Sequence, residues 1–360
     1  MSGRRSLVFA ISADYARATG GWIYNQRLLD GLASLGWLIE RLTLPAGFPE
    51  PDAAARAETA ALVRALPDGT LLLVDQLCIS VLPDLAEEQG RRLRLAVIVH
   101  HPLALEGDLP EAAARRAAAE RRTLAAATLV LATSQATAEA LRWDYAVDPA
   151  RLVVGPPGID RHPAVALRDE GGPLPMLNVG AVVPRKDQGL LIEALAGLQD
   201  RAWELRIAGD LERSPAHLAG LREQVRKHGL DGRVSFLGAL GGAAFEAEWR
   251  RARLFVASSR HEGFGMAVAE AVARGLPVVT TTAGAVEGWL DRRAAIMVPV
   301  GDVAALREAL RRVLDEPGLR RALHDGAVAA AANLPSWQAT AATVDSALSA
   351  TADAARRLAS

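Results

Sequence analysis

Residues 254–277, LFVASSRHEGFGMAVAEAVARGLP, combine an apolar strand, a glycine-rich turn and an alanine-rich helix in one run. Glu262 lies just before the turn, and Glu270 lies eight residues further on, inside the helix. A buried strand that passes through a tight turn into a helix is the repeating unit of parallel α/β sheets. The stretch therefore predicts an α/β fold in which two carboxylates flank the turn at the end of a strand.

The start of that helix is suited to an anion. N–H groups in the first helical turn lack intrahelical partners, and the helix dipole is positive there, so both favour a phosphate or diphosphate. Gly263 and Gly265 let the backbone approach such a group closely. A carboxylate can accept hydrogen bonds from both hydroxyls of a ribose or hexose diol. The pattern favours a sugar-nucleotide site over the alternative, an ordinary turn and helix whose glutamates only complement the dipole.

The same alternation of strand and helix continues along all 360 residues. Nearly continuous apolar strands separated by Ala-, Leu- and Arg-rich helical patterns are typical of parallel sheets buried on both faces. The predicted strands are 7–11, 38–42, 71–74, 95–99, 129–132 and 152–154, then 176–179, 204–208, 234–237, 254–257, 277–280 and 296–298. Twelve strands in a chain of this length indicate two doubly wound, Rossmann-like domains.

A Pro- and Gly-rich stretch at 155–175 separates the two halves, because its composition favours neither helix nor strand. We predict Rossmann-like domains at 1–163 and 174–335, followed by a C-terminal helix at 336–360 with Ser336 as its N-cap. Ligands of open α/β sheets bind outside the carboxyl ends of strands. Two such domains that face each other would share a cleft lined by their loops.

Charge and cysteine content exclude several classes of protein. The 41 basic and 42 acidic residues lack the positive excess of a nucleic-acid-binding protein. Cys78 is the only cysteine, so no disulfide forms within the chain and a reducing compartment is expected. The apolar run 7–11 is too short for a signal peptide, and no run reaches the ~18 apolar residues of a membrane span. We expect a soluble cytoplasmic protein with at most peripheral membrane contact, and we interpret the Arg-rich segment 115–122 as a solvated helix face that includes Glu120.

Loops of the first half carry candidate substrate-binding groups. Gly20 and Gly21 follow the first strand and begin a helix, which permits close backbone approach to a phosphate or sugar. His100 and His101 end the fourth strand, where either ring could hydrogen-bond a substrate; the alternative is a structural histidine bonded to backbone. Asp75, at the end of the third strand, is a lesser candidate of the same kind.

Loops of the second half carry cations. Gly180 follows a strand, and Arg185 and Lys186 come shortly after it, where they could neutralise a diphosphate leaving group. Solvated surface cations are the alternative, but this pair lies between a strand and a helix. The next two strand ends form a candidate slot for a nucleotide base, made of Asp210, Leu237 and Gly238.

Other nucleotide and metal motifs are absent from the sequence. The dinucleotide pattern G-x-G-x-x-G is not completed after Gly263 and Gly265, because Val268 holds its third position. No D-x-D pair or H-x-x-x-H spacing is available to bind a metal. We therefore expect no metal and no cofactor, and assign charge neutralisation to Arg185, Lys186 and the helix N-terminus.

Together these residues resemble the retaining GT-B glycosyltransferases of family 4, which include phosphatidylinositol mannosyltransferases, bacterial α-glucosyltransferases and sucrose-synthase-like enzymes. The likeness covers nearly the whole chain and rests on the E-x7-E element Glu262–Glu270, the Pro184–Lys186 run, the Gly20–Gly21 loop, the segment 157–160 and Trp337. It implies two facing Rossmann-like domains and a terminal helix that crosses back onto the N-terminal domain. It also implies a UDP- or GDP-sugar donor and a reaction without metal.

The resemblance assigns roles to single residues. Glu262 would contact the donor hexose hydroxyls and Glu270 the ribose, while Lys186 with Arg185 would hold the diphosphate. His101, in preference to His100, would be the pocket histidine near the transferred sugar. Backbone contacts to sugar and phosphate would come from Phe264, Gly265 and Met266.

Two positions depart from the family pattern. Many members have arginine where this chain has Ala181, and Arg185 would then supply the missing charge. Asp187 replaces the glycine that usually follows the lysine. Both departures concern the geometry of the diphosphate site and not the class of reaction.

The sequence thus predicts transfer of a hexose from a nucleoside-diphosphate sugar to a hydroxyl of a small-molecule, glycan or glycolipid acceptor, with retained configuration. Double displacement would need an enzymic nucleophile close to the anomeric carbon, and no compelling candidate is present. Same-face attack, in which the departing phosphate helps to take the acceptor proton, is preferred. The alternatives are a nucleotide-sugar epimerase or hydrolase on the same architecture, and a catalytically silent nucleotide-sugar-binding subunit.

Overall fold

A computed structural model describes residues 5–16, 19–106, 110–167 and 171–358. Within them the chain forms two six-stranded sheets, and every strand pair in both sheets is parallel. Each sheet belongs to a compact unit of its own. The first unit comprises Met1–Gly158 and Pro335–Ser360, and the second comprises Ile159–Leu334.

The first unit contains the six strands predicted for the first half of the chain, each within two residues of its predicted ends. They are β1 (Ser6–Ser12), β2 (Leu38–Leu44), β3 (Leu71–Asp75), β4 (Arg94–Val99), β5 (Leu129–Ala132) and β6 (Leu152–Val154). Their spatial order is β2-β1-β3-β4-β5-β6. The helices between them are α1 (Gly20–Ser34), α2 (Ala53–Arg64), α3 (Gln76–Ile79), α4 (Pro83–Gln89), α5 (Pro110–Ala126) and α6 (Gln135–Trp143).

The second unit repeats this plan with the other six predicted strands. They are β7 (Leu174–Val179), β8 (Trp203–Ala208), β9 (Val234–Gly238), β10 (Leu254–Ala257), β11 (Val278–Thr281) and β12 (Ala295–Val298), in the order β12-β11-β10-β7-β8-β9. The helices are α7 (Gln188–Ala196), α8 (Pro215–Lys227), α9 (Gly242–Arg251), α10 (Met266–Ala273), α11 (Val286–Trp289), α12 (Val303–Asp315) and α13 (Pro317–Ala331). Buried side chains from both faces of the sheet form its core.

The strand order places the candidate loops. In the first sheet the chain leaves β1 toward β2 on one side and continues from β3 on the other, so the order reverses between β1 and β3. In the second sheet the corresponding reversal lies between β7 and β10. Loops diverge at such a point and leave a crevice at the carboxyl edge of the sheet. The loop of Arg185 and Lys186 and the loop of Glu262 therefore flank the crevice of the second sheet.

The C-terminal helix α14 (Trp337–Leu358) belongs to the first unit and packs on α1, as the predicted crossing back requires. The two helices approach so closely that a Cβ on Gly31 would lie 2.6 Å from Cβ of Ala341. Asp345 accepts a hydrogen bond from the Trp37 indole at 2.8 Å and forms an ion pair with Arg5. The predicted N-cap is also confirmed, because Oγ of Ser336 accepts from the N–H of residue 339 at 3.2 Å.

The Arg-rich helix α5 differs from its prediction in one respect. Arg116 pairs with Glu50 at 2.8 Å and Arg122 with Glu87 at 2.7 Å, both on the surface. Glu120 is fully buried and accepts a hydrogen bond from the N–H of Leu103 at 2.9 Å, so its placement on the solvated face is wrong. The reason is that this backbone N–H is buried and needs an acceptor. Among the residues that the structure describes, no helix is long and apolar enough to cross a membrane.

Candidate active site

The loops after β7 and β10 meet at the carboxyl edge of the second sheet. Lys186 ends a 3-10 turn, Pro184–Lys186, and its Nζ lies 2.6 Å from Oε1 of Glu262. The Ser259 hydroxyl donates to the same oxygen at 2.6 Å, and Nη1 of Arg185 lies 3.9 Å from Oε2. The structure therefore brings together three of the four residues predicted to act in the reaction.

Further hydrogen bonds fasten these two loops to each other. Nη1 of Arg185 donates to the His261 carbonyl at 2.9 Å, and the N–H of Arg260 donates to the Arg185 carbonyl at 2.9 Å. Asp187 has φ of 45°, a left-handed conformation that favours glycine and that Asp tolerates. Its carboxylate accepts from Nε of Arg260 at 3.0 Å. Asp187 thus takes the turn that a glycine would take and adds a contact to the β10 loop.

Opposing effects act on the Glu262 carboxyl. Burial disfavours its charged form, but the charges of Lys186 and Arg185 and the hydrogen bonds from Lys186 and Ser259 lower its pKa to about 2. Only 9% of the residue is exposed. At neutral pH Glu262 is therefore a carboxylate of very low basicity, suited to accepting hydrogen bonds and poorly suited to taking a proton.

Glycine backbone joins the neighbouring strand ends. The N–H of Gly180 donates to the Ala208 carbonyl and that of Gly209 to the Gly238 carbonyl, each at 2.9 Å. A Cβ on Gly209 would lie 1.9 Å from the carbonyl oxygen of Gly180, so no other residue fits there without a backbone shift. A Cβ on Gly180 would lie 3.2 Å from Cε of Lys186. The missing side chain at 180 therefore leaves room for the lysine.

The residues predicted to form the base slot lie at the ends of β8 and β9. Gly238 is the last residue of β9 and has φ of 72°. Leu237 is half-buried, and Oδ1 of Asp210 accepts from the N–H of Glu212 at 2.8 Å. Their role in binding a base stays a prediction.

The turn before α10 is fixed by packing and by one indole. Gly265 is the N-cap of α10 with φ of 88°, and a Cβ there would lie 2.6 Å from Cγ2 of Val286. The Phe264 ring stacks on Trp289 with centroids 5.2 Å apart, and the Trp289 indole donates to the Phe264 carbonyl at 2.8 Å. Met266 is half-buried at the start of the helix. The indole therefore fixes the backbone at Phe264, and the first N–H groups of α10, which lack intrahelical partners, follow directly after this turn.

Glu270 lies in a cluster of charged groups on the same unit. Burial raises its pKa to about 7, and the nearby carboxylates of Glu246 and Asp160 act in the same direction against Arg274. Arg274 lies 4.0 Å from Oε2 of Glu270 and 2.7 Å from Glu246. Unlike Glu262, Glu270 therefore titrates near neutral pH.

Sequence reasoning missed several residues that hold Glu262. Ser259 donates to its carboxylate, and Oγ1 of Thr281 donates to the Ser259 carbonyl at 2.6 Å. Gly284 has φ of 58°, and a Cβ there would lie 2.5 Å from the Glu262 carbonyl oxygen. The signal was the Thr-Thr-Ala-Gly run at 281–284, which begins at the last residue of β11 and is another strand end followed by a turn.

In the first unit, three of the candidate residues lie together. Nε2 of His100 lies 3.2 Å from Oδ2 of Asp75. A Cβ on Gly21 would lie 3.2 Å from the same nitrogen of His100. Gly20 begins α1 and is exposed. The first turn of α1, the end of β3 and the end of β4 thus meet around His100.

The second histidine is placed differently. His101 is half-buried, and its carbonyl accepts a hydrogen bond from Nε2 of Gln76. The ring closest to the glycine at 21 is that of His100. Within the described ranges no group of three or more His, Cys, Asp or Glu side chains could hold a metal ion.

Two family models match the chain. Residues 175–316 match "Glycosyl transferases group 1", and residues 77–162 match "Glycosyltransferase Family 4". The chain belongs to the group 1, family 4 glycosyltransferases. The first match covers the loops of Lys186 and Glu262, and the second covers both histidines at the end of β4.

Curated relatives agree with this family. The chain is 31% identical over 255 residues to a D-inositol 3-phosphate glycosyltransferase of Actinosynnema mirum, which covers 65% of the chain and 60% of the relative. It is 28% identical over 316 residues to an MMP α-(1→4)-mannosyltransferase of Mycolicibacterium hassiacum, which covers 83% of the chain and 75% of the relative. The chain thus spans about three fifths of the length of the inositol-phosphate enzymes that it matches.

Solved structures show the fold. Sucrose-phosphate synthase from Thermosynechococcus elongatus superposes with a TM-score of 0.78 at 20% identity, covering 95% of this chain and 98% of that one. Anabaena Alr3699/HepE, in complex with UDP and glucose, gives a TM-score of 0.74 at 19% identity, covering 95% of this chain and 99% of that one. The predicted GT-B fold, two Rossmann-like parallel-sheet domains, is therefore confirmed.

Proposed function

We propose that this protein is a retaining glycosyltransferase that moves a hexose from a UDP- or GDP-sugar to an acceptor hydroxyl without a metal ion. The observation that carries the proposal is the arrangement of Glu262, Lys186 and Arg185 at the crevice of the second sheet. Two cations and a helix N-terminus there suit a diphosphate, and a buried carboxylate beside them suits sugar hydroxyls. The relatives named above are glycosyltransferases, and one of the solved structures holds UDP with glucose.

The contacts of the unliganded site indicate how a donor would bind. Lys186 and Arg185 neutralise Glu262 in the free protein. A diphosphate placed between these cations and the start of α10 would draw Lys186 toward itself, and the carboxylate would accept hydroxyl donors of the sugar in exchange. Glu270, further along α10, would accept from the ribose hydroxyls.

The hydrogen bonds of Glu262 favour one mechanism over another. Lys186 and Ser259 donate to one of its oxygens, and Nη1 of Arg185 lies 3.9 Å from the other, so the carboxylate is placed as a hydrogen-bond acceptor. We therefore assign it hydrogen bonds to the sugar in preference to nucleophilic attack in double displacement. Same-face attack, in which the leaving phosphate takes the acceptor proton, needs from the protein only positioning and stabilisation of the diphosphate. Lys186 and Arg185 would supply that stabilisation, and no metal would be required.

The pocket histidine is better assigned to His100 than to His101. His100 is held by Asp75 and lies against Gly21, the position expected to approach phosphate or sugar. His101 contributes a carbonyl to Gln76. We therefore transfer the role near the reacting sugar from the second histidine to the first.

The test is Glu262→Gln, assayed with UDP- and GDP-sugars and a panel of hydroxyl acceptors. We expect a loss of kcat/KM on the order of 100-fold or more, because an acceptor of sugar hydroxyls is replaced by a neutral amide. Glu248→Gln is the matched control: its carboxylate is also shielded and bonds Arg206 at 2.5 Å, in the same unit but away from this crevice. NMR of the product should show the anomeric configuration of the donor, and EDTA should leave the rate unchanged.

Other outcomes identify the rival functions. Transfer by Glu262→Gln at the wild-type rate contradicts the proposed site. Release of free or epimerised sugar without a new glycosidic bond indicates a hydrolase or epimerase. Nucleotide-sugar binding without turnover, under every acceptor tried, indicates a silent binding subunit.

A further inference from the structure

We propose that Asp75 is a positioning residue that holds the His100 ring with its proton on Nε2, so that Nδ1 accepts a hydrogen bond from a hydroxyl of the bound substrate. This inference rests on the glycosyltransferase function proposed above. It assigns Asp75 an action through His100 and not a contact with substrate, because Asp75 is completely buried.

The Asp75 carboxylate has three donors inside the first unit. The N–H of Leu77 donates to Oδ1 at 2.9 Å. Nδ2 of Asn25 donates to Oδ2 at 2.7 Å, and Nε2 of His100 lies 3.2 Å from that oxygen. Asn25 is also fully buried and lies one helical turn after Gly21 on α1. The carboxylate therefore joins α1, α3 and the end of β4.

These contacts determine where the His100 proton lies. Burial acts to raise the pKa of Asp75, but hydrogen bonds from His100, Leu77 and Asn25 keep it below its ordinary value. An ionised carboxylate can only accept hydrogen bonds, so Nε2 of His100 must be the donor. When the ring is neutral, Nδ1 then carries the lone pair.

The remaining contacts leave Nδ1 available. The Tyr24 ring meets the His100 ring edge-on with centroids 5.4 Å apart, and Gly21 lies against the Nε2 side. The His100 carbonyl accepts from Thr133 at 3.1 Å. Within the described part of the chain, Nδ1 makes no hydrogen bond, and the side chain keeps 14% exposure. One ring nitrogen is thus fixed by the protein while the other is open to a ligand.

The acceptor role of Nδ1 restricts the ligand. A hydroxyl can donate to it, whereas a phosphate or carboxylate oxygen would meet a lone pair and be repelled. The chemical group that fits is a hydroxyl donor, which under the proposed function is a hydroxyl of the donor sugar or of the acceptor. A substrate lacking that hydroxyl should lose one hydrogen bond to the protein, about a 10-fold loss in kcat/KM.

The first measurement reads the tautomer in the free protein. Ring ¹⁵N shifts of His100, assigned with His100→Gln and recorded at pH 8, should show the proton on Nε2 in wild type. Asp75→Asn should raise the share of the tautomer protonated on Nδ1, because a neutral amide oxygen accepts the Nε2 hydrogen bond more weakly than a carboxylate oxygen does. A wild-type ring protonated on Nδ1 overturns the inference, and this spectrum needs no substrate.

The second measurement tests whether Asp75 acts through His100. Asp75→Asn should lower kcat/KM by about 10- to 100-fold and have little further effect in a His100→Ala background. Asp52→Asn, the same change at the N-cap of α2, is the control and should leave kcat/KM unchanged. A wild-type rate in Asp75→Asn, or an equal loss in the His100→Ala background, contradicts the positioning role. Absence of transfer by the wild type would contradict the proposed function instead, and the tautomer spectrum would still decide this inference.

Discussion

Glu262 in the second unit and Asp75 in the first are both shielded carboxylates at the carboxyl edge of a parallel sheet, but they are neutralised in different ways. Glu262 faces the flexible cation Lys186 at 2.6 Å and Arg185 at 3.9 Å. Asp75 is bonded by a backbone N–H, an amide and a histidine ring. The side chain of Glu262 keeps 11% exposure, whereas that of Asp75 has none.

Under the proposed function, this difference would separate a group that binds ligand from a group that orients a ligand-binding side chain. A lysine on a four-carbon stem can leave its carboxylate for a diphosphate at little conformational cost. A backbone N–H and a buried amide cannot leave theirs. We therefore expect charges that a donor can rearrange in the second unit, and a fixed histidine in the first.

The largest effect is expected for Lys186→Met. The change removes the cation assigned to the diphosphate and leaves Glu262 with Arg185 as its nearest charge, so the pKa of Glu262 should rise. We expect kcat/KM to fall on the order of 100-fold or more and calorimetric affinity for a UDP- or GDP-sugar to fall with it. Lys227, the only other lysine, lies at the end of α8, and Lys227→Met is the matched control. Equal donor affinity in Lys186→Met and wild type would show that Lys186 does not bind the diphosphate.

A smaller effect is expected on stability when a methyl group is added to a glycine of each unit, Gly209 or Gly21. In Gly209→Ala the new Cβ would meet the carbonyl oxygen of Gly180 at 1.9 Å, and backbone has no rotamer with which to move away. In Gly21→Ala it would meet the His100 ring at 3.2 Å, which a small shift relieves. We expect the free energy of unfolding to fall by about 2 kcal/mol or more for Gly209→Ala and by less than about 1 kcal/mol for Gly21→Ala.

Denaturant unfolding measures both glycine variants, with Gly232→Ala as control because no atom lies within 4 Å of its new Cβ. Gly21→Ala should instead perturb the ring shifts of His100. Equal losses of stability in Gly209→Ala and Gly21→Ala would contradict this difference, in which the new Cβ meets backbone at Gly209 and a side chain at Gly21.

Most of the fold could be predicted from the sequence because both parallel sheets are buried on two faces. Their strands are short apolar runs between helices, a pattern that needs no tertiary information. The pairing of Glu262 with Lys186 was predictable only as proximity, since the carboxyl ends of parallel strands share one edge. Residue 262 and residue 186 are 76 positions apart, and their 2.6 Å contact depends on the strand order.

The wrong prediction has a physical cause, the demand of buried polar groups for partners. Glu120 was placed on a solvated face because of its arginine neighbours, but its carboxylate accepts a hydrogen bond from the buried N–H of Leu103. Asp75 was a lesser candidate for a substrate contact, and the sequence did not indicate that Asn25 and His100 bond its buried carboxylate. Sequence patterns report where a side chain lies along the chain; they do not report which distant polar atom lacks a partner.

The smallest expected effect is a pH dependence of donor affinity that separates Glu270 from Glu262. The pKa of Glu270 is raised to about 7, so it is mostly protonated at pH 6 and mostly ionised at pH 8. Only the carboxylate can accept from both ribose hydroxyls. Affinity for a nucleotide sugar, whose diphosphate diester does not titrate in this range, should therefore rise a few-fold between pH 6 and pH 8. Glu262, with a pKa of about 2, contributes nothing to that change.

Glu270→Gln is the control, because it keeps the other charged groups of the cluster, Glu246, Asp160, His162 and Arg274. Its donor affinity should be nearly flat from pH 6 to pH 8, and an equally steep profile in the variant would show that Glu270 is not the titrating group. The stability of the fold should change with pH in the opposite direction from donor affinity. Because the folded-state pKa of Glu270 lies above its unfolded value, its contribution to stability is greatest at low pH and is lost as pH rises through about 7. Between pH 6 and pH 8 the wild type should thus bind donor more tightly while Glu270 contributes less to the stability of the fold. These opposite trends are expected of a carboxylate that is held in place for a ligand.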